Sequence, residues 1–586
     1  MQLHLHQTHQ TVADFEAIYE ALHNCLASGE GLHLFPELFL TGYPLQDICL
    51  QRDFIHRYVE LLERIDAWSQ SQPRKDTSVA LIGGLAYQFD SQGLPLIIEN
   101  VIFSLVPGKP LERLYAKRLL PNYDIFDEEK YFCAGRESAI AEILGKRVGL
   151  MICEDMWPST THEADPTRDL KALADSTGPL DLVVNLSASP WFVNKAQKRY
   201  QKARDISLYL NAPFAYVNRV GGEDEVLFDG KSFVVVGEEI IAKGEDFKAH
   251  TLSLALPAMP ASPSKFEPAR LKENTWEAFF SPALIKNKEG QTRLVQLNSE
   301  SCEELVTALG FGIQEYARKC GFSNFLVALS GGIDSALVLT LMKLNLLPGQ
   351  SLEAIFMPGL FSAPESYDFS FDLCRRLGIK LTSLPIKFFH SSMRNAFKDS
   401  FGTALEGLAD ENIQSRLRGN LLYARSNQTG AMVLNTSNKS EIAVGYSTLY
   451  GDSVGAISVL GDLYKSEVFA LAHHINRTHG ELIPPGIISR LPSAELRADQ
   501  HDQQSLPPYE RLDAILEGLL SYRLSPQEIA DRGFEEAEVA KVYGLYRKSE
   551  YKRGQFCPIL KVRPKSFGFG YRVPITAFAA KPFTKK

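Results

Sequence analysis

Three residues in the N-terminal half have the types needed to open an amide: Glu37 in Leu34-Phe35-Pro36-Glu37, Lys117 in Tyr115-Ala116-Lys117-Arg118, and Cys153 in Met151-Ile152-Cys153-Glu154-Asp155. Amide hydrolysis through a thiol requires a base to make the thiolate, a sulfur to attack the carbonyl, and a cation or N–H donor where oxyanion charge develops. Glu37, Cys153 and Lys117 can fill those roles in that order. Composition alone favours an ordinary fate for them, a buried strand cysteine beside two solvated ion-pairing side chains. In the C-terminal half, Asn324-Phe-Leu-Val-Ala-Leu-Ser330-Gly331-Gly332-Ile333-Asp334-Ser335-Ala336 reads as a buried strand, a tight glycine turn and a helix start. Glycines let backbone N–H groups approach an anion, and a new helix offers its positive end to a phosphate. No Gly-Lys-Ser/Thr ending follows, so this is not the kinase-type phosphate loop. By itself a Gly-Gly turn before a helix is more often structural than catalytic.

Each of the three N-terminal residues sits where a predicted strand exits into a loop, and strand ends on one sheet edge can converge. From about residue 30 to 255, β-rich runs at 79–86, 100–106, 147–153, 182–186, 214–218 and 232–236 alternate with polar or helical stretches, the rhythm of a sheet-rich α/β layered domain. Residues 257–296 are rich in Pro, Ser, Ala, Lys and Glu, with Pro257, Pro260, Pro263 and Pro268 closely spaced, and are read as a linker between domains at 1–256 and 297–586. Beyond it, strands at 325–329, 352–357, 380–385 and 431–435 are separated by helix-length segments, as in βαβ units of a parallel sheet.

A chain of 586 residues exceeds one hydrophobic core, and 45% hydrophobic with 23% charged residues places it among ordinary soluble globular proteins. A net charge of -8 without a run of lysines or arginines argues against nucleic acid as a partner. The first residues lack a basic region followed by an apolar stretch, and no run approaches the roughly 18 apolar residues of a membrane span, so a cytoplasmic protein without membrane contact is expected. Eight scattered cysteines suggest neither a disulfide framework nor a zinc site.

Pro36-Glu37-Leu38 with Thr41-Gly42-Tyr43-Pro44, Lys117-Arg118-Leu119-Leu120-Pro121-Asn122-Tyr123, and Cys153-Glu154-Asp155-Met156-Trp157 resemble the three signature blocks of the nitrilase superfamily, in the version fused to NAD+ synthetases. The resemblance runs through Val217-Asn218-Arg219-Val220-Gly221-Gly222 and is loose over the first thirty residues. It implies a nitrilase-like αββα sandwich in which Glu37 is base, Lys117 the lysine and Cys153 the nucleophile that forms a γ-glutamyl thioester. It also places Tyr43, Glu154, Ser189 and Lys195 around L-glutamine. Glu223 stands where many members have glutamine.

The intact Ser-Gly-Gly-Ile-Asp-Ser string resembles the pyrophosphatase loop of enzymes that split ATP between its α and β phosphates. Members act on guanine nucleotide precursors, aspartate or tRNA bases, so the loop alone leaves the substrate open. Glu411-Asn412-Ile413-Gln414-Ser415-Arg416, Asn435-Thr436-Ser437-Asn438-Lys439-Ser440-Glu441, Tyr450-Gly451-Asp452 and Pro492-Ser493-Ala494-Glu495-Leu496 resemble NAD+ synthetases in particular. That resemblance implies a Rossmann-like parallel α/β domain. Ser330, Gly331, Gly332, Ile333, Asp334, Ser335, Thr436 and Lys465 are assigned to ATP; Asn412, Glu441, Asp452 and Lys552 to deamido-NAD; and Asp334 with Glu441 to Mg2+. Many relatives carry Ser-x-Tyr-Ser-Ser where this chain reads Gly359-Leu360-Phe361-Ser362-Ala363-Pro364-Glu365-Ser366. The implied reaction adenylates a nicotinate carboxylate and displaces AMP with ammonia taken from glutamine. A glutamine-fed amidase of another carboxylate, and a non-catalytic nucleotide-binding relative, are the alternatives. Family members pair through their synthetase domains, which implies a homo-oligomer.

Overall fold

The structure, a computed structural model, describes residues 1–160, 162–259, 284–286, 292–578 and 582–583. It divides into two compact units, Met1–Phe279 and Phe280–Lys586. Of the expected linker, residues 260–283 and 287–291 lie outside the described residues.

The first unit contains two six-stranded sheets. One runs His250–Ala255, Gln2–Gln7, Gly31–Leu34, Ser78–Phe89, Pro95–Leu105, Glu112–Ala116. The other runs Glu239–Lys243, Phe233–Val236, Phe214–Asn218, Leu182–Ser187, Lys146–Ile152, Ala139–Ile143. Because side chains alternate along a strand, each sheet buries two faces. Leu81, Leu150, Ile152 and Val184 meet in the core shared by both sheets. Ala80 and Ile82 instead face a core built with helices Phe15–Leu26 and Arg52–Ser71, while Met151 and Val183 face helices Pro166–Thr177 and Lys195–Leu210. Asp14 caps the first helix through Ala17 N at 3.3 Å, and Asp165 caps Pro166–Thr177 through Arg168 N at 3.1 Å. The four layers are the expected αββα sandwich.

The expected strands begin near residue 30, yet Gln2–Gln7 is an inner strand, antiparallel to His250–Ala255 and parallel to Gly31–Leu34. Leu3 and Leu5 enter the shared core, whereas His4 and His6 stack with His33 at 4.7 and 5.2 Å. His6 Nε2 and His33 Nδ1 share a 2.9 Å hydrogen bond. Burial pushes His6 down to about 3 and His33 down to about 4, so the buried rings are neutral.

The second unit is built on a parallel sheet ordered Leu381–Ser383, Ser351–Phe356, Asn324–Leu329, Ala431–Asn435, Ile457–Ser458. Its strand order reverses between Asn324–Leu329 and Ala431–Asn435, and a crevice opens at such a switch beyond the carboxyl ends of the strands. The fifth strand, two residues long, is too short to carry a periodic signal. A second core joins helices Lys439–Val444, Tyr509–Leu520 and Glu536–Lys548, and the short ladder of Leu284–Lys286 with Thr292–Leu294 packs against Tyr509–Leu520. Among the described residues no helix is long and apolar enough to cross a membrane.

Candidate functional site

Glu37, Lys117 and Cys153 follow the strands Gly31–Leu34, Glu112–Ala116 and Lys146–Ile152. The Lys117 ammonium donates to Glu37 Oε1 at 2.6 Å and to both oxygens of Glu128 at 2.9 and 2.8 Å. Glu37 also accepts from Asn100 Nδ2 at 2.8 Å and from the Ala188 backbone at 2.9 Å. Tyr43 OH donates to Glu128 at 2.9 Å. Glu37 and Lys117 are each 1% exposed, so the pair works in a low dielectric where its geometry is fixed. Burial opposes the charge on Lys117, but Glu128 and Glu37 outweigh it and hold the ammonium well above its ordinary value. Burial pushes Glu128 up to about 7 against the pull of Lys117.

Cys153 opens a tight turn, Cys153–Met156, in the left-handed region at φ 40°, with its N–H held by Asn185 Oδ1 at 2.8 Å. A non-glycine residue there is strained and must be held by its surroundings. Asp155 does much of the holding: it accepts from Ile152 N at 2.9 Å, Arg118 N at 3.0 Å, Leu119 N at 2.9 Å and Tyr115 OH at 2.8 Å. One carboxylate therefore ties the turn of the nucleophile to the segment of the lysine. Burial and Glu37 keep the thiol well above its usual value, against Lys117. The sulfur rests protonated and needs a base when it attacks.

Around this centre, Glu154 accepts from Tyr123 OH at 3.1 Å, and Ser189 N donates to Asn218 Oδ1 at 2.9 Å. Lys195 Nζ donates to Pro190 O at 2.6 Å; burial and Arg199 push it down to about 7, against Cys153 and Asp229. The buried Arg199–Asp229 pair, 2.8 Å apart, also holds Ser189 O and Pro190 O. Glu223 accepts from Arg219 at 2.9 Å, and the same guanidinium grips Tyr43 O, so this departure bears on the placing of Tyr43. Glu128 and Asn100 escaped the sequence reading, and Asp155, though inside the Cys153 block, carries no role there; for Glu128 the only signal is a charged triplet, Glu128-Glu129-Lys130, which looks like solvated surface.

In the second unit a cavity of about 500 Å³ opens at the switch point. Ser330, Gly332, Ile333, Asp334, Ser335, Thr436 and Lys465 line it, as do Asn412, Glu441, Asp452 and Lys552. Gly331 lies behind that wall at φ +77°. Helix Ile333–Leu344 starts at the Gly332 cap, with Asp334 in its first turn. Lys465 Nζ donates to Asp334 Oδ2 at 2.5 Å and Glu441 Oε1 at 3.2 Å, and Asn438 Nδ2 donates to Asp334 Oδ1 at 2.9 Å. Burial pushes Glu441 up to about 8 despite Lys465, and burial of Lys465 is outweighed by Asp334 and Glu441, which raise it. Lys465 is set from behind: its N–H donates to Ser440 Oγ at 2.9 Å, and Asp513 accepts from Ser440 and from Ser466 N.

The loop after Gly445 gathers the remaining residues. Thr448 Oγ1 donates to Asn412 Oδ1 at 2.8 Å, Thr448 N to Asp452 Oδ1 at 2.6 Å, and Lys552 Nζ to Gly445 O and Ser447 O at 2.7 and 2.6 Å. Burial raises Asp452 to about 6 and lowers Lys552. Arg418, which the sequence reading did not mark, also lines the cavity, its guanidinium pushed down to about 10 by burial and anchored on Met357 O at 2.9 Å. Asp334 and Glu441 converge on one ammonium, and hence on one point in space. Two hard carboxyl groups on the wall of this cavity suit Mg2+, which commonly takes one or two protein carboxylates and fills its shell with phosphate and water. Among the described residues no cluster of three or more His, Cys, Asp or Glu forms a cage for a metal.

The carbon-nitrogen hydrolase family profile matches residues 4–256, and the NAD synthase profile residues 305–556. The chain is 36% identical over 565 residues to the glutamine-dependent NAD(+) synthetase of Synechocystis, covering 96% of this chain and 95% of that one. It is 35% identical to its counterpart from Aquifex aeolicus, covering 98% and 99%. The solved glutamine-dependent NAD+ synthetase of Acinetobacter baumannii superposes with a TM-score of 0.68 at 28% identity, covering 98% of both chains. That of Cytophaga hutchinsonii gives 0.75 at 18% identity over 98% of both, a likeness of fold. Two family profiles in succession, and relatives this similar along nearly the whole length, establish that the chain belongs to the glutamine-dependent NAD(+) synthetase family.

Proposed function

We propose that the chain amidates deamido-NAD to NAD+ at the expense of ATP, with ammonia drawn from L-glutamine. The observation that carries this reading is the coexistence of two complete constellations, Glu37–Lys117–Glu128 around Cys153 and Asp334–Lys465–Glu441 on the cavity wall. Relatives named for the same activity support it.

In the first unit Glu37 takes the proton from Cys153 as sulfur attacks the glutamine carboxamide carbon, while Lys117 faces the developing oxyanion. The C–N bond breaks, the proton leaves with ammonia, and a γ-glutamyl thioester remains. Water then adds with Glu37 as base, and the thiol is restored as glutamate departs. Tyr43, Glu154, Ser189 and Lys195 surround the amino-acid end of glutamine.

In the second unit the nicotinate carboxylate attacks the α-phosphorus of ATP, and pyrophosphate leaves toward Ser330 to Ser335. Ammonia then adds to the acyl adenylate and AMP departs, leaving the carboxamide. Adenylation is required because a carboxylate is a poor electrophile. Lys465 and Thr436 hold ATP, and Asn412, Asp452 and Lys552 hold deamido-NAD. Asp334 and Glu441 would hold Mg2+, which supplies neutralisation of phosphate charge. The relative from Acinetobacter baumannii was solved in complex with ADP, which supports an adenine nucleotide in this cavity.

Exposed Phe388, Phe401 and Leu408, 72%, 68% and 71% accessible on helices Lys387–Phe401 and Gly407–Thr429, support pairing of two synthetase units. Incubation with glutamine, ATP, Mg2+ and a panel of carboxylic acids tests the reaction. NAD+, AMP, pyrophosphate and glutamate in equal amounts from deamido-NAD are expected, and efficient amidation of another acid with none of deamido-NAD would replace this reading.

A further inference from the structure

Two features of the sequence remain without a role: the atypical loop from Gly359 to Ser366, and Glu495 of Pro-Ser-Ala-Glu-Leu. They meet. Ser366 Oγ donates to Glu495 Oε1 at 2.6 Å, and Ala363 N donates to Glu495 Oε2 at 3.2 Å. Arg490 donates to the Ser366 hydroxyl at 2.6 Å and to Glu495 Oε1 at 2.5 Å. A charged hydrogen bond is among the stronger polar contacts, and here several share one carboxylate. Glu495 adopts a left-handed backbone, φ 51°, a strained conformation for a side chain of this size that these contacts offset.

What this latch holds lies on the other side of Ser366. Gly331 packs so closely there that a Cβ on it would sit 2.6 Å from Ser366 O and 2.7 Å from Ser366 Cα. Ser366 is fully buried, whereas Glu495 and Arg490 also line the cavity. Ser366 is therefore the backstop of the glycine turn, and Glu495 sets the backstop. We propose that Glu495, through Ser366 and with Arg490, is a positioning residue that fixes the glycine turn for the pyrophosphate end of ATP. The inference rests on the reading that this cavity turns ATP into AMP and pyrophosphate. A turn displaced by loss of the latch meets the phosphates at the wrong distance, while the deamido-NAD contacts, gathered near Thr448, stay in place.

The test uses the full-length enzyme with saturating ammonium, comparing wild type with E495Q, S366A and the double variant, each checked for folding by thermal melting. E495Q should raise the KM for ATP and the inhibition constant of pyrophosphate about tenfold, with the KM for deamido-NAD within about twofold. S366A should move the same two constants by about threefold, and the double variant should be no worse than E495Q because both act through one contact. Equal rises in both KM values, unchanged ATP and pyrophosphate constants in a folded variant, or additive effects would overturn the proposal. Should E495Q fail to fold, S366A decides by the same two constants. A wild-type enzyme that makes no AMP would instead reject the reading of the cavity itself, and the proposal with it.

Discussion

Lys117 and Lys465 are both ammonium groups gripped by two carboxylates, yet their settings differ. Lys117 and Glu37 are 1% exposed and Glu128 5%, and Asn100, the Ala188 backbone and Tyr43 occupy further positions on those carboxylates. Lys465 is 3% exposed, but Asp334 and Glu441 are 17% and 18% exposed on the wall of a cavity of about 500 Å³. The closed triad suits proton transfer on one small amide, where fixed charges in a dry site cost no reorganisation during reaction. Under the proposed function the open triad receives an arriving polyanion, with Lys465 paired to Asp334 and Glu441 until phosphate charge and a cation enter. On the proposed reading, the same ion arrangement serves two chemistries according to how much wall surrounds it.

The largest effect should come from the open triad. Asp334→Ala should lower NAD+ formation by about a thousandfold or more with either glutamine or ammonium, since charge neutralisation worth several kcal/mol is lost. Coupled assay with both donors measures it, and retained activity would remove Asp334 from the metal and phosphate role. The closed triad should respond to Glu128→Gln. Lys117 loses one of its two counter-charges, and glutaminase kcat/KM should drop on the order of a hundredfold while ammonium-driven synthesis is kept. An unchanged glutaminase rate would show that Glu37 alone holds Lys117. The smallest effect concerns pH. Lys195, pushed down to about 7 by burial and Arg199, is charged below that pH and loses its charge above it. The KM for glutamine should therefore climb by about tenfold in all as pH rises from about 7 to about 9 and one charge-assisted contact is lost. Lys195→Arg, charged throughout, should flatten the profile; a flat wild-type profile would remove Lys195 from substrate carboxylate binding.

How much of this was legible depends on how chemistry-bearing residues announce themselves. Cys153 and the Ser330–Ser335 turn stand in short strings whose composition is unusual, and four of the five strands of the synthetase sheet are legible as short runs between helix-length segments. Gln2–Gln7 does not, because its outward positions are His4 and His6, polar residues that become core by stacking on His33. Glu128 was invisible for another reason: its partner Lys117 is local, but what makes it important is Glu37, 91 positions earlier, and burial that no charged triplet displays. Glu495 was noticed as part of a motif, but its contact with Ser366 spans 129 positions. Residue type is written in the chain, whereas desolvation and long-range pairing come from the fold.

The central claim, that one unit makes ammonia and the other consumes it, is tested most directly by Cys153→Ala assayed with two nitrogen donors. The account predicts that glutamine-driven NAD+ formation disappears while ammonium-driven formation proceeds near the wild-type rate. Equal loss with both donors would contradict it.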